Sequence, residues 1–208
     1  MTFTPADHLG AVQRALTTIS RDGQELRLLT VTRTYDATRD EVWDALITAE
    51  RIERWMMPVT GELRLGGRFQ LEGNAEGEVL DCDPPERLAL TWEYGGQVSW
   101  VDLSLRPTDS GTLLQLDHSA PVPPEIWEQF GPGAVGIGWE MGLMGLAEHL
   151  AAPDAERPPR ETMPDLTEYM FGSSEAWAEV DIDAGADPET ARTAARRTAE
   201  AYTAAPEQ

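Results

Sequence analysis

Lysine is missing altogether: the 208-residue chain carries 16 basic side chains and every one is arginine. That absence excludes chemistry needing a lysine amine, namely a Walker A phosphate grip, a pyridoxal Schiff base or a lysine general base. Basic residues are also scarce beside 37 acidic ones, which leaves a formal net charge of −21. Nucleic acid and anionic membrane surfaces both demand basic patches, so neither is an expected partner. Cysteine occurs once, as Cys82, and histidine three times, as His8, His118 and His149. An internal disulfide and cysteine-rich zinc or iron–sulfur sites are therefore impossible within one chain, and no metal or other cofactor is expected. Cys82 precedes Asp83-Pro84 with no cationic neighbour in sequence to lower its pKa, so it reads as an inert thiol. No run approaches the ~18 apolar residues of a membrane span. Met1–Gly10 lacks a basic stretch followed by an apolar one, so no secretory leader is expected and the expected location is the cytoplasm.

What is present is periodic. Asp22-Gly23 is a strong two-residue turn signal, because a type I′ turn needs positive φ at both central positions. It joins Val12–Ser20 to Glu25–Tyr35 as an antiparallel pair, with Leu29, Val31, Arg33 and Tyr35 on one face. Thr38 to Glu41 fits a reciprocal capping box ahead of Val42, Trp43, Leu46 and Ile47 at helical spacing, and a second short helix covers Ala49–Trp55. Strands then recur between turn residues at 68–72, 78–82, 87–94, 98–106 and 112–119, which predicts an antiparallel meander. After Pro121–Pro124 the pattern becomes helical. Gly133–Ala151 is a long helix whose apolar stripe is Val135, Trp139, Leu143, Leu146 and Leu150. Glu140 and His149 fall off that stripe and are expected on a solvated face. Gly138, Gly142 and Gly145 cost up to ~1 kcal/mol each in a helix, so they require either a close neighbour or open volume beside them.

The order strand, two short helices, meander and long helix is that of a helix-grip fold. Val42-Trp43-Asp44-Ala45-Leu46, Glu50 to Trp55, and Gly66-Gly67-Arg68-Phe69 resemble the START-related (SRPBCC) superfamily. Pro84 to Leu88, Leu90-Thr91-Trp92 and Gly138-Trp139 resemble its branch similar to the Hsp-ninety ATPase activator carboxy-terminal domain. The resemblance covers residues 25–151 and implies an α+β domain: a curved antiparallel sheet wrapped around the long helix, with an internal cavity often used for apolar ligands. Residues 1–24 read as an amino-terminal extension and 152–172 as a linker. Residues 173–205 read as a helical hairpin docked on the domain, with Ser173 or Ser174 capping its first helix and Asp187-Pro188 opening the second.

Under that fold the candidate ligand-binding residues are Phe69, Leu71, Leu90, Trp92, Tyr94, Leu103, Leu116, Trp139 and Leu143, with Arg33 and His118 as polar exceptions. Arg33 either bridges to a carboxylate such as Glu93, reaches solvent, or anchors a ligand carboxylate or phenolate. His118 is either a hydrogen-bonded structural group or a proton shuttle. The favoured function is the binding of a small hydrophobic molecule, aromatic or lipid-like, without a committed catalytic residue. The alternatives are an enzyme of polyketide-cyclase type and a co-chaperone-like modulator of an ATPase. Val98 and Trp100 face the other side of the sheet and form an apolar patch that the extensions or a second subunit would cover. Gly131 to Gly136 matches G-x-G-x-x-G literally but follows no strand, so it is not read as a dinucleotide site. Asp181, Asp183 and Asp187 imitate the start of a calcium loop, yet Ala186 and Arg192 stand where glycine and glutamate are required.

Overall fold

A computed structural model describes residues 4–155 and 165–204. Along the chain these form α1 (Pro5–Gly10), β1 (Val12–Arg21), β2 (Gln24–Tyr35), α2 (Arg39–Ile47), α3 (Ala49–Trp55), β3 (Val59–Gly61), β4 (Arg68–Leu71) and β5 (Glu76–Asp83). There follow β6 (Arg87–Tyr94), β7 (Gln97–Thr108), β8 (Gly111–Ala120), α4 (Pro124–Phe130), α5 (Gly133–Ala151), α6 (Thr167–Asp183) and α7 (Pro188–Thr203). The architecture is α+β, a helix-grip fold built on an antiparallel sheet and the long helix α5.

The described residues divide into two compact units. One contains the chain up to Val31, Pro121–Met141 and the residues from 165 onward. The other contains Thr32–Ala120 and the chain from Gly142 to 155.

In the second unit the strand order is β2-β8-β7-β6-β5-β4-β3, and the pairs from β3 to β8 are antiparallel. The register explains how the inner face is assembled. Val79, Leu90, Val101 and His118 lie opposite one another across β5 to β8, and Leu88, Leu103 and Leu116 form the adjoining row. Period-2 alternation therefore places one apolar set on one side of four strands. Thr38 caps α2 by accepting from the Glu41 amide at 3.3 Å. The reciprocal half of the expected box is replaced: the Glu41 carboxylate lies 3.8 Å from Arg51 Nη2. The Tyr35 hydroxyl donates to the Leu143 carbonyl at 3.1 Å, which ties the second half of α5 to the end of β2.

Gly145 explains part of the glycine stripe. A Cβ there would run into the Trp55 carbonyl, so close approach of α3 to α5 is the reason for this glycine, not open volume. Gly142 makes an ordinary contact with the Trp55 ring. Gly145→Ala is expected to lose about 1–3 kcal/mol from this overpacking, which exceeds the ~1 kcal/mol that alanine contributes to helix propensity. A drop in thermal midpoint checks it, and a rise shows that α3 can give way.

In the first unit β1 lies beside β2, joined through Asp22 (φ 52°) and Gly23 (φ 82°), as the turn signal predicts. The helices α6 and α7 pack through Ala178, Ala191 and Ala195, with Ile182 and Ala186 beside them; small side chains let the two backbones approach. Asp187 caps α7 through the Thr190 amide, as the sequence predicts. The helix α6, however, starts at Thr167 and not at the serines. Ser173 and Ser174 are buried within it, and the Ser174 hydroxyl donates to the Ala195 carbonyl of α7. The stretch expected as a linker is therefore helical from Thr167, while its residues 156–164 lie outside the described ones.

Candidate functional site

The predicted ligand wall falls largely in the second unit. Phe69, Leu71, Leu90, Leu116 and Leu143 are buried, while Trp92 and Leu103 are half-buried. Phe69 and Trp92 form a tilted aromatic pair, with ring centroids 6.4 Å apart and planes at 47°. Gly77, the partner of Phe69 in the β4–β5 register, lies against the Thr91 carbonyl, which a Cβ there would strike first, and the same Cβ would come within 2.9 Å of the Phe69 ring. Tyr94 departs from the expected inner set. It ends β6 and is 62 % exposed. Trp139 lies on the part of α5 that belongs to the first unit.

The two polar exceptions differ. His118 is buried, and its Nε2 lies 2.8 Å from the Ser99 hydroxyl, which donates to the Trp92 carbonyl at 3.0 Å. Burial pushes the imidazole down from 6.5 to about 4, so it is neutral at pH 7. Arg33 is buried too, with its guanidinium carbon 5.6 Å from the Tyr35 ring centroid. Glu93, the carboxylate offered for it from the sequence, is held instead by Arg68 at 3.2 Å. Arg33 acts on Glu148: partial desolvation pushes that carboxyl up, and the Arg33 charge pulls it back. Burial likewise pushes the Tyr35 hydroxyl up.

His149 is not solvated, contrary to the expectation from the helix stripe. It is buried, and its Nε2 accepts from Arg51 Nε at 3.0 Å. Arg51 also donates to Asp44 at 2.9 Å. The Cys82 thiol is pushed up by burial and by the flanking Asp81 and Asp83 charges, as befits an inert thiol. Among the described residues no group of three or more His, Cys, Asp and Glu side chains is placed to hold a metal ion. No described helix is long and apolar enough to cross a membrane.

The largest departure lies in the first unit. Glu140, expected in solvent, is fully buried (0 % exposed), whereas Val135 of the predicted stripe is 38 % exposed. Arg14 of β1 grips the Glu140 carboxylate with two bonds, Nε to Oε1 and Nη2 to Oε2, both 2.6 Å. Trp177 Nε1 donates to Oε1 at 2.6 Å. The Ser173 and Tyr169 hydroxyls donate to Oε2 at 2.9 and 3.2 Å. Five donors thus surround one acceptor-only group, and the bidentate guanidinium supplies its counter-charge. Gly136, one turn before Glu140 on the same helix face, lets the Trp177 indole lie against α5 where a side chain would collide with it. That glycine is the sequence signal for the socket. A glycine one turn from an acid on an otherwise apolar helix marks a face pressed by another element.

The model of a family described as activator of Hsp90 ATPase homolog 1-like protein matches residues 36–151. The crystal structure of CalU16 from Micromonospora echinospora is 37 % identical, covers 82 % of this chain and 98 % of its own, and superposes with a TM-score of 0.65. Its solution structure gives 36 %, 84 %, 97 % and 0.67. MLL2253 from Mesorhizobium loti is 26 % identical, with 62 % of this chain covering 100 % of that one at a TM-score of 0.55. DynU16, a protein of the dynemicin biosynthetic locus, is 23 % identical over 63 % of this chain and 49 % of its own, with a TM-score of 0.57, and shares the fold. No curated protein sequence matches.

Proposed function

Since the chain belongs to the family of activator of Hsp90 ATPase homolog 1-like proteins, we propose that it binds a small, uncharged hydrophobic molecule against the inner face of its sheet. The observation that supports this most is the Phe69–Trp92 pair. An aromatic wall within a buried apolar face keeps part of the Trp92 surface accessible to solvent, and the neutral His118–Ser99 pair stands beside it as a hydrogen-bonding end. Such a combination, apolar walls with a few placed polar groups, is what small-molecule sites use. A ligand burying roughly 200–400 Å² of apolar surface gains on the order of 5–10 kcal/mol before the entropy of association is subtracted.

Titration with N-phenyl-1-naphthylamine, a neutral aromatic fluorophore, tests the reading. The expected result is saturable 1:1 binding that is weakened about tenfold, the equivalent of ~1.4 kcal/mol, by Trp92→Ala and by Phe69→Ala. Binding that fails to saturate, or that both variants leave unchanged while folded, removes this site.

A further inference from the structure

We infer that His149 and Arg51 form an acid-opened latch that holds α3 against the end of α5. Arginine stays protonated and can only donate, so the Arg51 Nε to His149 Nε2 bond of 3.0 Å requires a neutral imidazole with its proton on Nδ1. Protonating Nε2 sets an N–H against an N–H and one positive charge against another. The bond is then lost and replaced by repulsion.

The surroundings decide the direction. From α3, Arg51 and Arg54 both act against a charged imidazole, and from α2 only Glu41 favours it. The Asp44 carboxylate is already held by Arg51 at 2.9 Å and by the Thr48 hydroxyl at 2.9 Å. Glu148 neighbours His149 on α5 itself and answers to Arg33. Burial is the largest cause and acts in the same direction as the two arginines, so the imidazole is held below its ordinary 6.5. The latched form thus prefers neutral His149 and the released form binds the proton more readily. Latching is complete above 6.5 and weakens as the pH falls below it toward the lowered value.

The other attachments of α3 show what is released. Trp55 Nε1 donates to the Ala45 carbonyl at 3.0 Å, Arg54 donates to the Pro153 carbonyl at 2.8 Å, and the Trp55 backbone rests on Gly145. Beyond α3 the chain runs into β3, whose Gly61 pairs with Phe69. Freeing α3 therefore loosens the strand edge that carries the aromatic wall. On the binding reading proposed above, acid would then weaken ligand retention; the latch itself stands without any ligand.

Amide hydrogen exchange of the ligand-free chain at pH 7.5 and 5.5, corrected for intrinsic rates, is the test. Protection across 49–55 is expected to fall at pH 5.5 by up to about tenfold, the factor set by protonating a released imidazole of pKa 6.5. His149→Gln keeps an acceptor for Arg51 but does not titrate, so its α3 protection is expected to be the same at both pH values. His118→Gln is expected to retain the response. Unchanged protection in the wild type, or a response that survives in His149→Gln, overturns the latch. Should His149→Gln fail to fold, imidazole nitrogen shifts in the wild type decide: the Nδ1–H tautomer with a depressed pKa supports the latch, and an ordinary titration at 6.5 overturns it. These readouts involve no ligand, so they fail or succeed separately from the binding titration.

Discussion

Replacing Glu140 with alanine is expected to destabilise the chain by about 3–5 kcal/mol, because it leaves a buried guanidinium without its counter-charge. The Arg14 side chain is 10 % exposed and Glu140 is wholly enclosed. Trp177, Ser173 and Tyr169 lose their acceptor at the same time. Stability of a folded chain is commonly about 5–15 kcal/mol, so a loss of this size is a large fraction of the whole. Chemical denaturation of Glu140→Ala, Arg14→Met and the double variant measures it. The double variant is expected to lose less than the sum of the two singles, since an apolar pair tolerates the dry site better than a lone charge. A Glu140→Ala variant as stable as the parent would show that water reaches Arg14 and that the socket contributes little.

Acid is expected to cost the native state roughly 3 kcal/mol through His118 alone, the worth of the gap between 6.5 and about 4. The native imidazole is the weaker base, so between those values the unfolded chain binds more protons. The stabilisation is intact above 6.5 and is lost as the pH falls to about 4. Carboxylates titrate over part of the same range, so the contribution is read from the difference between the wild-type stability curve and that of His118→Gln. A difference that stays flat from pH 7 to 4 would place His118 in contact with solvent and remove its part in the proposed site.

These expectations also show where the sequence was legible. The alternation of Leu88 and Leu90 in β6 specified the inner face because period 2 is a local property of a strand. Asp22-Gly23 specified its hairpin for the same reason, as backbone sterics at two residues suffice. Tyr94 broke the pattern because alternation gives a side of the sheet but not how far cover extends along it. Glu140 and His149 were misplaced by a different route. A helical stripe predicts one buried side, whereas α5 is pressed on faces that the stripe assigned to water: by α6 at Glu140 and by Arg51 of α3 at His149. Those contacts join residues 37 and 98 positions apart, which no local rule registers. The start of α6 was missed because Ser173 and Ser174 look like caps; their hydroxyls are engaged instead by Glu140 and by the neighbouring helix. Gly145 was correctly singled out, but whether a missing side chain means a neighbour or a void is a tertiary question.

The donors around Glu140 all come from segments that flank the family-matched stretch: Arg14 precedes it, and Tyr169, Ser173 and Trp177 follow it. The acid and its clasp are thus a bargain between parts of the chain that can be gained or lost separately. In a cousin trimmed of both flanks, a glutamate at this helix position has nothing to grip and no reason to be favoured. One letter in an alignment would then serve as a marker for whether a homologue carries the outer segments at all.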